Sequence, residues 1–303
     1  MTKKGLLVGN GLNQCVQGTS WGNLLKNIAT EYNVDYDENI PMPLEYERIV
    51  NEYLKLGWNT KDVHKKTKEK IIENINENST YNPLYEKLFS IDLDCILTTN
   101  YDISLERYLQ RDYCYKSKNN KYLKEKTSSI NGIEFYHPHG IVGATNSICL
   151  GYEHYMGQVE MLRKTINSTV NRDASKMRIL NVLRDKNKKD YTWGERFYTT
   201  DLGIIGFGLD TCENDIWWVL THRASLYYQN YNNEAKKLIN NHIIYYDIVD
   251  RKKMKNKEYY KEKNCKYKLL KGANVEVVTY TISNDEDSYA DKYMLALDDF
   301  KKR

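Results

Sequence analysis

No two of the six cysteines form a C-x-x-C pair: Cys15, Cys95, Cys114, Cys149, Cys212 and Cys265 stand apart along the chain. A four-cysteine structural zinc site needs paired spacing, so that class is not indicated. Isolated cysteines in a lysine-rich chain suit a reducing cytosol, where they behave as small hydrophobes. Long apolar runs are lacking too, and none approaches the roughly 20 residues that cross a bilayer. The run Gly5 to Gly9 follows two lysines but is too short for a signal peptide and has no small-residue cleavage site. A cytoplasmic protein with no membrane partner is expected. The net charge of +4 is too small to imply a nucleic-acid partner. The densest basic stretch, Arg251 to Lys257, reads as a solvated loop leading into a helix. Only four prolines, and no flexible linker or internal repeat, interrupt the 303 residues. One compact domain over 1–303 is therefore expected.

What is present is an alternation of short apolar runs and amphipathic stretches. Strands are expected at Gly5–Val8, Leu93–Thr98, Ile133–Tyr136, Leu202–Ile205, His242–Val249 and Val275–Tyr280. Between them, Trp21, Leu24, Leu25 and Ile28 follow helical spacing behind Ser20 as an N-cap. Asp102 can cap a helix carrying Ile103, Leu105 and Leu109. Trp217, Trp218, Leu220 and Leu226 fit a helix starting near Asp215, with the two tryptophans read as core. A last helix carries Tyr289, Tyr293, Met294 and Leu297 after the acidic run Asp285 to Asp287, which complements a helix N-terminus. The expected fold class is α/β, a Rossmann-like mainly parallel sheet. Helical insertions at about 31–90 and 155–193 would form a smaller helical subdomain that walls off a cleft. In the first, Leu44, Ile49, Val50, Tyr53 and Leu54 would make one apolar face.

Four polar turns fall at the carboxyl ends of expected strands, the ligand edge of an open parallel sheet. The first is Gly9-Asn10-Gly11-Leu12-Asn13, followed by Gly18. Its glycines would let backbone approach a phosphate, and the next helix N-terminus would offer amide donors. It is not G-x-G-x-x-G, since Gln14 takes the third glycine's place, and a plain strand-to-helix turn explains it equally well. The second is Thr98-Thr99-Asn100-Tyr101-Asp102. An asparagine amide both donates and accepts, which suits holding a ribose hydroxyl or a water, while Asp102 either meets a carboxamide or caps its helix. The third is His137-Pro138-His139-Gly140, where a neutral imidazole would be a good base near pH 7. Metal binding by the histidines lacks a third ligand at a workable spacing, so no metal is expected. The fourth is Gly206-Phe207-Gly208-Leu209-Asp210, with Glu213 and Asp215 following. Those carboxylates would bind ribose hydroxyls or cap the next helix.

In this order the four turns resemble the bacterial Sir2-like family, over the sheet scaffold from Gly5 to about Leu220. The opening Gly9-Asn10-Gly11 with Asn13, Gly18 and Ser20-Trp21-Gly22-Asn23-Leu24-Leu25 is similar to the family's first motif. Thr98 to Asp102 matches its Thr-x-Asn-x-Asp. The family's catalytic histidine directly precedes a glycine, which selects His139 over His137. The resemblance implies NAD as substrate, Asn100 and His139 as catalytic residues, and Gly9, Asn10, Gly11, Asn13, Asp102, Gly206, Phe207 and Gly208 as NAD-binding residues. There are departures: the loop from Gly11 to Gly18 is one residue longer, Thr19 replaces a common proline, and Asn13 and Gly208 stand where serines are usual. The zinc ribbon of protein-deacylating sirtuins is missing, since only Cys149 follows His139 at short range. This points to plain NAD hydrolysis, the activity of Sir2-like antiphage effectors in abortive infection.

The nicotinamide of oxidised NAD is a pyridinium and leaves as a neutral molecule, so the enzyme must stabilise an oxocarbenium-like ribose and deliver water. His139 is expected to be the base, Asn100 to position water and ribose, and Asp102 to support the nicotinamide pocket. Other readings are an NAD-dependent deacylase or ADP-ribosyltransferase, which needs an acceptor, and a nucleotide-binding sensor or interaction module without turnover. A different phage-defence family with a Gly-Asn-Gly-Phe-Asp opening fits Leu12-Asn13 less well. Control by homo-oligomerisation, by a partner chain or by a phage-derived activator is expected of an enzyme that would otherwise exhaust its own cell's NAD.

Overall fold

A computed structural model of the chain describes residues 3–15, 21–75, 82–115, 121–170, 173–229, 233–283 and 287–303. The chain begins with β1 (Lys3–Val8), α1 (Gly11–Gln14), α2 (Trp21–Glu31), α3 (Met42–Lys55), α4 (Thr60–Asn74), α5 (Pro83–Phe89), β2 (Cys95–Thr98) and α6 (Ser104–Leu109). Then come β3 (Ser128–Ile130), β4 (Ile133–Tyr136), α7 (Tyr152–Leu162), β5 (Thr169–Val170), β6 (Asp173–Met177), α8 (Arg178–Arg184) and α9 (Trp193–Thr199). The last part holds β7 (Thr200–Ile205), α10 (Asn214–Tyr228), α11 (Asn233–Leu238), β8 (Ile243–Asp250), α12 (Lys257–Gly272), β9 (Glu276–Ile282) and α13 (Tyr289–Lys302). Seven strands form one sheet in the order β3-β4-β2-β1-β7-β8-β9, parallel except for the β3–β4 hairpin. This is the α/β, Rossmann-like architecture that the alternation predicts, and all six expected strands are present.

The central strands are apolar on both faces because helices cover both. Leu7, Leu97, Tyr136 and Ile204 pack with Trp193 and Phe197 of α9 and with Ile216 and Val219 of α10. Their sequence neighbours Leu6, Ile96, Phe135 and Ile205 pack with Leu84 and Leu88 of α5 and with Leu297 and Phe300 of α13. A third core joins α2, α3 and α4 through Leu25, Ile28, Tyr46, Ile49, Val63 and Ile71, and takes in Tyr101 and Ile148 from the loops after β2 and β4. The helical group is thereby tied to the edge of the sheet where those loops lie.

Several local expectations differ from the structure. Leu44 is 48% exposed, and Tyr46 is fully buried in its place. The inward face of α3 runs Tyr46, Ile49, Val50 and Tyr53, and Leu44 lies two residues, about 200° of helical rotation, from Tyr46. Segment 155–193 is only partly helical: α7 passes into a π-helical turn at Arg163–Asn167, then into the antiparallel β5–β6 ribbon before α8. The β3–β4 hairpin turns on Asn131 and Gly132, both at positive φ (52° and 85°), the Asn-Gly signature of a two-residue hairpin turn. Helix α13 is capped by the Ser288 hydroxyl, which accepts from Asp291 N at 3.1 Å. Gly18, Thr19, Ser20, Asp285, Glu286 and the side chain of Trp21 lie outside the described residues. Trp217 and Trp218 pack against the core, as expected. No helix among the described residues is long and apolar enough to cross a membrane.

Candidate active site

The chain leaves β1 for β2 and β4 on one side, then returns to β7 on the other. Such a switch point opens a crevice at the carboxyl ends of the strands. A cleft of about 450 Å³ lies there, within the roughly 300–1,000 Å³ common for small-molecule sites. Asn10 and Gly11 after β1, Thr99 and Tyr101 after β2, His139 after β4, and Gly206 to Asp210 after β7 all line it. The four turns singled out in the sequence therefore converge. Gly22 of α2, Met42 of α3, Tyr155 of α7, Tyr245 to Ile248 of β8 and Glu213 also line it.

The first and fourth turns interlock before they meet any ligand. Gly9 N donates to Ile205 O at 3.0 Å and Gly11 N to Gly206 O at 2.7 Å. A Cβ on Gly9 would stand 2.5 Å from Gly206 O, and one on Gly11 2.8 Å from the same oxygen. These two glycines are thus demanded by loop-on-loop contact. Gly206 adds a positive φ of 63°, whereas a Cβ on Gly208 would meet nothing within 4 Å. Of the eight residues read as NAD-binding, Asn10, Gly11, Gly206, Phe207 and Gly208 line the cleft, while Gly9, Asn13 and Asp102 do not. The Asn13 amide donates to Asp102 Oδ2 at 3.2 Å and accepts from the Tyr85 hydroxyl at 2.5 Å. Asp102 Oδ1 accepts from Ser104 N at 3.0 Å. Asp102 thus holds the turn that leads into α6, whose N-cap is Ile103, and straps it to the first turn.

The two histidines divide structural and site roles. His137 is fully buried; its Nδ1 donates to Asn100 O at 3.1 Å and its Nε2 to Glu106 Oε1 at 2.8 Å. With both nitrogens facing oxygen acceptors, the charged form of the ring is favoured. Burial opposes that charge, but Glu106 and the Asn100 carbonyl outweigh it and raise the His137 pKa. The ring therefore bolts the β4 turn to the β2 turn. Asn100 is only 4% exposed and does not itself line the cleft; its Oδ1 has no partner. An unpaired buried amide oxygen is costly unless a ligand or water donates to it.

His139 is 3% exposed and lines the cleft. Its orientation depends on Gly140, whose φ is 105° and whose Cβ would stand 2.4 Å from Ser147 O. His139 O also accepts from Cys149 N at 2.8 Å. Nε2 donates to Asp215 Oδ2 at 3.0 Å and lies 3.6 Å from Glu213 Oε2. Burial disfavours the charged ring, yet the Asp215 and Glu213 carboxylates prevail and raise it to about 9. The two carboxylates thus favour the protonated ring over the neutral base expected at pH 7. No local sequence signal marks this partnership, since Glu213 and Asp215 equally suit ribose hydroxyls or a helix cap. Asp215 does sit in the first turn of α10, but its side chain, fully buried, is spent on His139.

The donor atoms of His139, Glu213 and Asp215 all lie within 4.8 Å of one another, the one such group among the described residues. The third ligand type missing from the sequence is thus supplied from 74 and 76 positions further on. The same geometry serves a shared proton: Nε2 already makes a hydrogen bond of ordinary length to Asp215.

Comparison with known families comes down to one stretch. No curated protein matches the chain. Residues 94–182, which contain Asn100, His137 and His139, match the model of the SIR2-like domain, and over that stretch the chain is similar to this family.

Proposed function

We propose that the protein cleaves NAD to nicotinamide and ADP-ribose, with Asn100 and His139 at the cleavage site. The observation that carries this reading is His139 itself: it lies in the SIR2-like stretch and lines a cleft at the carboxyl ends of the strands. The backbone of Asn10, Gly11 and Gly206 to Gly208 offers close approach for the pyrophosphate. Asn100, between the lining residues Thr99 and Tyr101, holds an unused buried acceptor in Oδ1 that suits an ordered water at the cleft wall. The carboxylates around His139 suit the transition state, because cleavage builds positive charge on the ribose. Hydrolysis is favoured over deacylation because no cysteine pair provides a zinc ribbon; Cys95 and Cys149 are buried, with thiols that burial pushes up.

The physiological role we assign is NAD depletion in antiphage abortive infection, in the cytoplasm, without a metal cofactor. Control by self-assembly, by a partner chain or by a phage-derived activator follows from the toxicity of the reaction. A monomer fully active without stimulus contradicts that control. The enzymatic test is NAD turnover with water as the only acceptor. Nicotinamide and ADP-ribose in equal amounts support the hydrolase. Products that form only when an acylated lysine peptide is added reassign the protein as a deacylase, and NAD binding without turnover makes it a sensor.

A further inference from the structure

We propose that Glu213 is the proton acceptor for the attacking water and that Asp215 is a positioning residue that holds the charged His139 beside it. This rests on the hydrolase reading above. Glu213 lies between β7 and α10, outside the stretch that matches the SIR2-like domain. It lines the same cleft as His139. Its Oε2 stands 3.6 Å from His139 Nε2 and has no hydrogen-bond partner. The single hydrogen on Nε2 is directed to Asp215 at 3.0 Å, so Glu213 keeps an unused acceptor at the cleft wall.

Ionisation supports the geometry. Burial pushes the Glu213 carboxyl up, His139 pulls it back and Asp215 adds to the rise, with the result at about 7. Asp210 on its own loop also raises it and a hydrogen bond from Tyr155 on α7 lowers it, while Cys212, Cys149 after β4 and Tyr101 after β2 face it and are themselves pushed up by burial and by its charge. A carboxylate half-ionised near neutral pH is suited to general base catalysis, whereas His139 already carries its proton there. In the reaction the C1′–N bond breaks and its electron pair stays with the pyridine nitrogen, so nicotinamide leaves neutral. The water oxygen bonds to C1′, one water proton passes to the Glu213 carboxylate, and Glu213 then releases it to solvent. A divalent cation on the same three side chains would set positive charge against an oxocarbenium-like ribose, which a carboxylate instead stabilises.

The experiment compares wild type, Glu213→Gln and Glu213→Asp for NAD cleavage across pH, with NAD affinity measured separately and with each enzyme assayed with and without EDTA. Glu213→Gln preserves size and is expected to lose roughly 100- to 10,000-fold in kcat while still binding NAD. The acidic limb of kcat/KM near pH 7 is expected to vanish from its residual activity, and Glu213→Asp to recover part of the rate. A Glu213→Gln enzyme with wild-type kcat and the same acidic limb overturns the inference and leaves the hydrolase standing. Wild-type activity abolished by EDTA and restored by a divalent cation also overturns it, because the cluster is then a metal site. A wild type that leaves NAD intact overturns the hydrolase reading, and the inference falls with it.

Discussion

Nε2 of His139 donates to Oδ2 of Asp215 across 3.0 Å, joining the turn after β4 to the first turn of α10 over 76 residues of chain. Both side chains are buried. Asp215→Asn removes the charge and keeps the shape. It is expected to cost roughly 3–5 kcal/mol of stability, the usual effect of breaking a buried ion pair. It is also expected to move the basic limb of the pH–rate profile from near 9 to lower pH, because His139 loses its nearer counter-charge. Denaturant titration and a pH–rate series read the two effects separately; a basic limb left near 9 shows that Asp215 does not hold the proton on His139.

Stability should fall as pH rises across the neutral range. The folded His139 is raised from 6.5 to about 9. Its stabilisation is fully present below pH 6.5, where both folded and unfolded chains carry the proton, and is lost as pH climbs through 9. Glu213, raised from 4.5 to about 7, acts in the same direction between those values, since the folded chain keeps a proton that the unfolded chain releases. Melting temperatures at pH 6.5, 8 and 9 should descend in wild type and flatten over this range in His139→Gln. A flat wild-type profile contradicts the charged imidazolium.

Two glycine substitutions separate scaffold from cleft. Gly140→Ala forces a side chain onto a φ of 105° and to within 2.4 Å of Ser147 O. It should destabilise the protein by roughly 1–3 kcal/mol or more and displace His139. Gly208→Ala meets nothing within 4 Å and should change stability by no more than about 0.5 kcal/mol, while narrowing the cleft and raising KM for NAD. Equal loss of stability in the two variants contradicts this assignment.

His137 should behave as a structural residue. His137→Ala leaves Glu106 buried and unpaired, which costs roughly 3–5 kcal/mol. Loss of activity should track loss of folded protein by circular dichroism, in contrast to His139→Gln, which keeps a donor for the buried Asp215 and should remain folded and inactive.

The central strands were legible because each is short, apolar on both faces and ends in a polar turn, and the edge strand β9 because Val, Thr and Tyr recur along it. The convergence of those turns followed from parallel order alone. Finer detail escaped for identifiable reasons. Asn131-Gly132 carried a hairpin signal, but the paired run Ser128 to Ile130 is only three residues. Leu44 was assigned by hydrophobicity although its phase on α3 differs from that of Tyr46, Ile49 and Val50. Asn13 and Asp102, read as ligand contacts, spend their side chains on each other. The clasp of His139 by Glu213 and Asp215 had no local signal, since it depends on how the loops after β4 and β7 meet across β2 and β1.

The most direct measurement is product-resolved NAD cleavage by wild type and His139→Gln side by side, with folding of both verified. The account predicts nicotinamide and ADP-ribose from wild type alone, from two equally folded proteins. Undiminished cleavage by His139→Gln would contradict the placement of the reaction at this residue, and intact NAD with both proteins would contradict the hydrolase itself.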